Sequence, residues 1–263
     1  MAQAVECVYS IKGSGPALFM VHGIGARRSI WDRLASELAS DFTCISYDLR
    51  GHGDSPKGAL PFTLDDLVAD LEALRARLGI ECGHFIGHSL GGMIVPAYAR
   101  AYPDRVGALG LLSTSSFREP EHKGMVKAIA EQVGREGIAE VMPGLTGRWF
   151  SDRFLSAHPD LVQWRLDQAL TTPHDVFNQV FHIYADTEMS PWLNEVNAPS
   201  LVLTGEFDGD CNPIVNRKIA EALPHSELVI LEGLKHAILV EAPERVAVHV
   251  GAFVLKHSEL PNL

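Results

Sequence analysis

Gly87-His88-Ser89-Leu90-Gly91 sets a serine between glycines, directly after the apolar run His84-Phe85-Ile86 and at the start of a helical stretch ending near Tyr102. Strand, sharp turn and helix in that order make a strained elbow that holds a nucleophile clear of its sheet. A serine hydroxyl is a weak nucleophile near neutral pH and needs a base within hydrogen-bond reach. Twelve histidines compete for that role. His236 is the nominated base, because Gly233-Leu234-Lys235-His236 follows the apolar run 227–231 and precedes a helix-forming stretch. Catalytic groups of open α/β sheets gather on such loops. His88 belongs to the elbow and is expected to pack beside the serine. His52, His84, His225, His249 and His257 read as surface or hydrogen-bonded structural residues.

With this elbow the orienting acid falls between serine and histidine in the chain, again after a strand. Leu201-Val202-Leu203-Thr204-Gly205-Glu206-Phe207-Asp208 meets both demands, with Asp208 the nominated acid and Asp210 the second choice. The oxyanion of an acyl-transfer intermediate needs preorganised N–H donors. Leu90 N–H, next to the serine at a helix N-terminus, is one. Ile24 N–H, in the loop His22-Gly23-Ile24-Gly25 after the apolar run 17–21, is the other. His22 is expected to shape that loop through a hydrogen bond within the turn.

These residues need a scaffold, and β-rich runs at 5–11, 17–21, 42–47, 84–87, 108–113, 201–205 and 227–231 alternate with helical patterns. That alternation predicts an α/β fold, a mostly parallel sheet with helices on both faces and the first run as an antiparallel edge. Leu64, Leu67, Val68, Leu71, Leu74 and Leu78 paint one helical face. Thr63 with Asp66 caps its start and Gly79 ends it. Asp65, Asp66, Asp70 and Glu72 read as its solvated side and first-turn charges. After Ser113 the rhythm becomes helical, with no clear strand before Ala198. The expected organisation is a core domain from 1–116 and 198–263 with a helical cap, 117–197, inserted in it. The cap carries Trp149, Trp164 and Trp192, which either line a roofed cleft or pack the cap onto the core.

Composition bounds the partners. A net charge of -11 over 263 residues repels polyanions, so nucleic acid is not an expected partner. No run of about 18 apolar residues occurs and the N-terminus lacks a secretory pattern, which predicts a cytoplasmic protein without a membrane span. Cys7, Cys44, Cys82 and Cys211 are far apart and read as free thiols, with Cys211 a packing residue near the nominated acid. No metal site and no organic cofactor are called for; the expected partner is a small-molecule substrate.

His22-Gly23-Ile24-Gly25, the segment YDLRGHGDSP from Tyr47, GHSLGG from Gly87, GEFD from Gly205 and GLKH from Gly233, in this order, resemble the α/β-hydrolase superfamily over essentially the whole chain. The cap segment GRWFSDRFLSAHPD from Gly147 is most similar to the 3-oxoadipate enol-lactonase and carboxylesterase group. The resemblance implies an α/β-hydrolase fold, ester or lactone hydrolysis through an acyl-enzyme, and Arg148 and Trp149 facing the substrate. It makes Asp48 to Ser55 a structural turn, and a serine rather than an aspartate at the elbow argues against dehalogenases and epoxide hydrolases. C–C bond hydrolysis, amide cleavage and acyl transfer use the same triad and stay open. So does a slowly turning-over ligand receptor on the same scaffold.

Overall fold

The seven β-rich runs form one sheet, and its inner strands supply alternating side chains to two separate apolar layers, whereas the first strand is exposed along its length. A computed structural model describes residues 3–258. Its strands are β1 (Tyr9–Lys12), β2 (Ala17–Val21), β3 (Thr43–Tyr47), β4 (Gly83–His88), β5 (Val106–Leu112), β6 (Ser200–Gly205) and β7 (Ser226–Leu231). They lie in the order β1-β3-β2-β4-β5-β6-β7, and β1 alone runs antiparallel, against β3 at the edge. In β2, Phe19 and Val21 enter one core with Leu67 and Leu71, whereas Leu18 and Met20 enter the other with Leu34 and Val250.

The helices cover those cores. On one face sit α2 (Leu64–Arg77) and α3 (Gly91–Ala101); on the other sit α1 (Asp32–Leu38) and the C-terminal helix Pro243–Ser258. The start of α2 is a full capping box: Thr63 N–H donates to Asp66 Oδ2 (2.9 Å), and Thr63 Oγ1 accepts from Asp66 N–H (3.4 Å). The expectation of a solvated acidic side is corrected here. Asp66 and Asp70 are buried, and Asp70 grips the fully buried Arg50 guanidinium with both oxygens at 2.6 and 2.7 Å. The apolar pattern marks only where the helix meets the sheet; it does not reveal that the turn carrying Arg50 folds back onto the helix.

Because β2 and β4 are neighbours while their following helices go to opposite faces, the loops after them diverge between Val21 and Gly87. Such a switch of direction opens a crevice at the C-terminal ends of the strands. Five α-helices lie between β5 and β6: α4 (Pro120–Glu136), α5 (Ile138–Trp149), α6 (Asp152–Ala157), α7 (Pro159–Leu170) and α8 (His174–Asp186). They reach the core through Gln179 Nε2 on Phe62 O (2.7 Å), Ala237 N–H on Trp149 O (2.8 Å) and Arg165 on the loop after β2.

Candidate active site

Ser89 stands at the end of β4 with φ of 56°, a left-handed conformation that costs a non-glycine residue of order 1–3 kcal/mol. Its neighbours fix it there. Ser89 N–H donates to Leu112 O (2.9 Å), while its carbonyl accepts from Gly92 N–H (2.9 Å) and Thr114 Oγ1 (2.8 Å). Only glycine fits beside it: a Cβ on Gly87 would lie 2.0 Å from Gly91 O, and one on Gly91 2.0 Å from Val21 O.

His236 and Asp208 come from the loops after β7 and β6, and His236 Nδ1–H donates to Asp208 Oδ2 at 2.8 Å. Asp208 is 2% exposed. Its other oxygen accepts the amides of Cys211 (2.9 Å) and Asp210 (3.2 Å). Burial alone would raise this carboxyl's pKa, but the adjacent imidazole and the Cys211 amide hold it below the usual carboxylate range. Burial works in the opposite direction on His236, disfavouring its charged form. The Asp208 carboxylate overrides that and lifts the imidazole well above its usual pKa. His88 packs its ring 4.8 Å from that of His236 and donates from Nε2 to His236 O (3.0 Å).

Ser89, His236, Gly23 and Ile24 line one cavity of about 80 Å³, walled also by apolar side chains such as Leu145 and Leu239. Among the described residues the Ile24 and Leu90 amides have no protein acceptor. The loop carrying Ile24 is held by His22, whose Nδ1–H donates to Gly23 O (2.8 Å) and whose Nε2 accepts from Leu49 N–H (2.9 Å). Burial pushes His22 down to about 4, so it is neutral in this role.

The nominated cap pair separates. Trp149 lines the cavity; Arg148 does not, and sets Nη1 on the lining residue Asp210 (3.1 Å), which also meets His122 (3.5 Å). Trp164 is exposed, and Trp192 packs against the core with Arg100 over its ring. One residue escaped the sequence reading. Arg165, from α7, reaches the cavity, and nothing in Trp164-Arg165-Leu166-Asp167 distinguishes it from a surface arginine. Cys211 is buried with Sγ 3.4 Å from Tyr184 Oη. Ligand atoms of Asp208, Cys211 and His236 lie within 4.8 Å of one another, a donor set a soft metal ion could use, although the imidazole and carboxylate already bond each other. Burial and then the Asp208 charge raise the Cys211 pKa, which keeps it a thiol and not a thiolate.

With this geometry established, the chain belongs to the α/β-hydrolase family: the family model described as alpha/beta hydrolase fold matches residues 16–243. It is 26% identical over 245 residues to 3-oxoadipate enol-lactonase 2 of Acinetobacter baylyi, covering 92% of this chain and 91% of that protein. It is also 26% identical over 251 residues to (E)-2-((N-methylformamido)methylene)succinate hydrolase of the same organism, covering 90% of each. Among solved structures, a thermophilic esterase from Thermogutta terrifontis superposes with a TM-score of 0.88 at 28% identity, covering 97% of this chain and 95% of that one. These relationships support a hydrolytic function. No helix among the described residues is long and apolar enough to cross a membrane.

Proposed function

We propose that the chain is a serine hydrolase of small organic esters or lactones, working through an acyl-enzyme. The observation that carries this reading is the pairing of a strained Ser89 with a His236 whose Nδ1 proton is held by Asp208, both facing one small cavity. With the proton fixed on Nδ1, Nε2 is left as the acceptor that a serine hydroxyl requires.

In the first step Ser89 Oγ gives its proton to His236 Nε2 and attacks the carbonyl carbon. The oxyanion then receives the Ile24 and Leu90 amides, donors worth about 10²–10³ in rate each in comparable sites. The imidazolium, stabilised by Asp208, passes its proton to the leaving alcohol. Water, deprotonated by the same histidine, releases the acid. In this reading, residues 117–197 are a cap over a core formed by 1–116 and 198–263, of which 1–2 and 259–263 lie outside the described residues. The cavity's small size supports a short substrate. A relative named an enol-lactonase, another named a hydrolase of a substituted succinate and an esterase neighbour support carboxyl-group chemistry. The four free cysteines and the -11 charge support a cytoplasmic protein acting on a small molecule and not on nucleic acid.

The test is turnover of p-nitrophenyl acetate and labelling by a fluorophosphonate probe, in the wild type and in Ser89→Ala. Both signals should be present in the wild type and vanish in the variant. An Ser89→Ala protein that still turns over the ester near the wild-type rate refutes the assignment.

A further inference from the structure

Arg165 is 9% exposed and lies on the wall of the same cavity as Ser89 and His236. Its Nη1 donates to Gly25 O (2.7 Å) and its Nη2 to Ile24 O (3.0 Å), and its guanidinium lies over the Trp149 ring, 4.7 Å from the centroid. A guanidinium has five N–H donors and a charge that is costly to bury without a counter-ion. Among the described residues no carboxylate stands within ion-pair distance of it, and its remaining N–H groups have no protein acceptor.

The other buried arginines among the described residues are treated differently, and Arg75 is paired with Glu72. Arg50 has both oxygens of Asp70. Arg118 spreads over the carbonyls of Tyr184, Ala185 and Thr187, where the negative end of the α8 dipole lies, and over Ser115 Oγ. The carbonyls that Arg165 meets, those of Ile24 and Gly25, belong to a loop and not to a helix C-terminus. The neighbouring ionisable groups do not compensate it either. His22, His52 and His88, which feel its charge, are neutral, pushed down by burial to about 4, 3 and 3. Asp210, the acid on the cavity wall, is engaged by Arg148 and His122. The uncompensated burial lowers the guanidinium itself to about 10, still charged at neutral pH.

We propose that Arg165 is a specificity-determining residue that receives an anionic group of the substrate, so that the preferred substrate is an ester or lactone bearing a carboxylate. The inference rests on the hydrolase reading of Ser89. A carboxylate would take the free N–H groups and supply the missing counter-charge, while Trp149 keeps the guanidinium plane fixed. Arg148 cannot play this part without giving up Asp210.

The test compares the monomethyl half-esters of succinic, glutaric and adipic acids with the corresponding dimethyl esters, by methanol release. The wild type should prefer the half-ester by about tenfold or more in kcat/KM for at least one chain length, the gain expected of a charge-assisted hydrogen bond. In Arg165→Met the ratio should fall to near one, through KM, whatever the substitution costs the neutral ester through the loop. Arg165→Lys should retain an intermediate ratio. Absence of preference at every chain length, or a preference that survives in Arg165→Met and disappears in Arg148→Met, overturns the proposal. Binding of the same compounds to Ser89→Ala, read by tryptophan fluorescence, separates the two readings. Anion-selective binding lost in Ser89→Ala/Arg165→Met supports Arg165 even if no ester is turned over, an outcome that would count against the hydrolase reading alone. Equal binding of half-ester and diester counts against Arg165 alone.

Discussion

Asp208→Asn should convert a competent base into an incompetent one with almost no change of shape. The carboxylate's two oxygens have distinct partners: one accepts the Cys211 and Asp210 amides at 2.9 and 3.2 Å, the other the His236 Nδ1–H at 2.8 Å. An asparagine must keep its oxygen on the two amides, since its NH₂ group cannot accept them. The NH₂ then faces His236 Nδ1 and forces that nitrogen to become the acceptor. The imidazole proton moves to Nε2, where Ser89 needs a lone pair. The measured consequence of inverting this tautomer in a serine protease is a loss of about 10⁴ in kcat, or about 5 kcal/mol of barrier, and a similar loss is expected here. The pH dependence should move as well. Asp208 raises the pKa of His236 against the effect of burial; without the charge, burial prevails and the pKa falls. Since activity requires the neutral base, the acidic limb of kcat/KM should shift to lower pH in the variant. The assay is p-nitrophenyl acetate turnover across pH 5–9, with Asp210→Asn as the control. Asp210 bonds Arg148 and His122 and does not bond His236, so its loss should leave the limb in place. A Asp208→Asn enzyme within about tenfold of wild type, or an acidic limb that moves only in Asp210→Asn, would refute the assignment.

Ser89→Gly should raise stability by about 1 kcal/mol in urea denaturation, because glycine takes φ of 56° without strain; a lower midpoint would show that the serine conformation is unstrained. Gly87→Ala should do the reverse, at a cost of about 3 kcal/mol or more, because its Cβ meets backbone and no flexible side chain can yield; soluble protein of wild-type stability would contradict the geometry. Asp70→Ala should destabilise the fold by about 3–5 kcal/mol by leaving the Arg50 guanidinium buried and unpaired, and a loss under about 1 kcal/mol would mean that water reaches that pair.

The fold was legible because each strand is a short apolar run bounded by turn residues, and because the elbow, Gly87 to Gly91, has meaning only between a strand and a helix. The positions of Ser89, Asp208 and His236 at strand ends followed from that rhythm. What stayed hidden depends on chain reversals that local patterns do not encode. Asp70 sits on the helix α2 as any surface acid would, and only the return of the 48–55 turn buries it against Arg50. Arg165 likewise occupies an ordinary amphipathic helix. Its significance arises because α7 crosses over the loop after β2, a contact between residues 140 apart in sequence.

In the proposed mechanism, electrostatics single out one base from several imidazoles near the site. His22 and His52 are fully buried and His88 and His236 partly so, and burial pushes the first three far below neutral pH, so that they act as fixed donors and acceptors there. His236 differs in bonding a carboxylate, 2.8 Å from Nδ1, and the charge and hydrogen bond of Asp208, with a smaller contribution from Cys211, reverse the sign of its shift. Arg165 adds to the separation, since its charge further disfavours protonation of the other three. In the proposed mechanism the cavity therefore contains one imidazole to carry a proton in turnover and one positive charge to hold an anion. Each is set by whether a carboxylate stands beside it: Asp208 does so for His236, and in the proposed substrate preference the place beside Arg165 is left to the substrate.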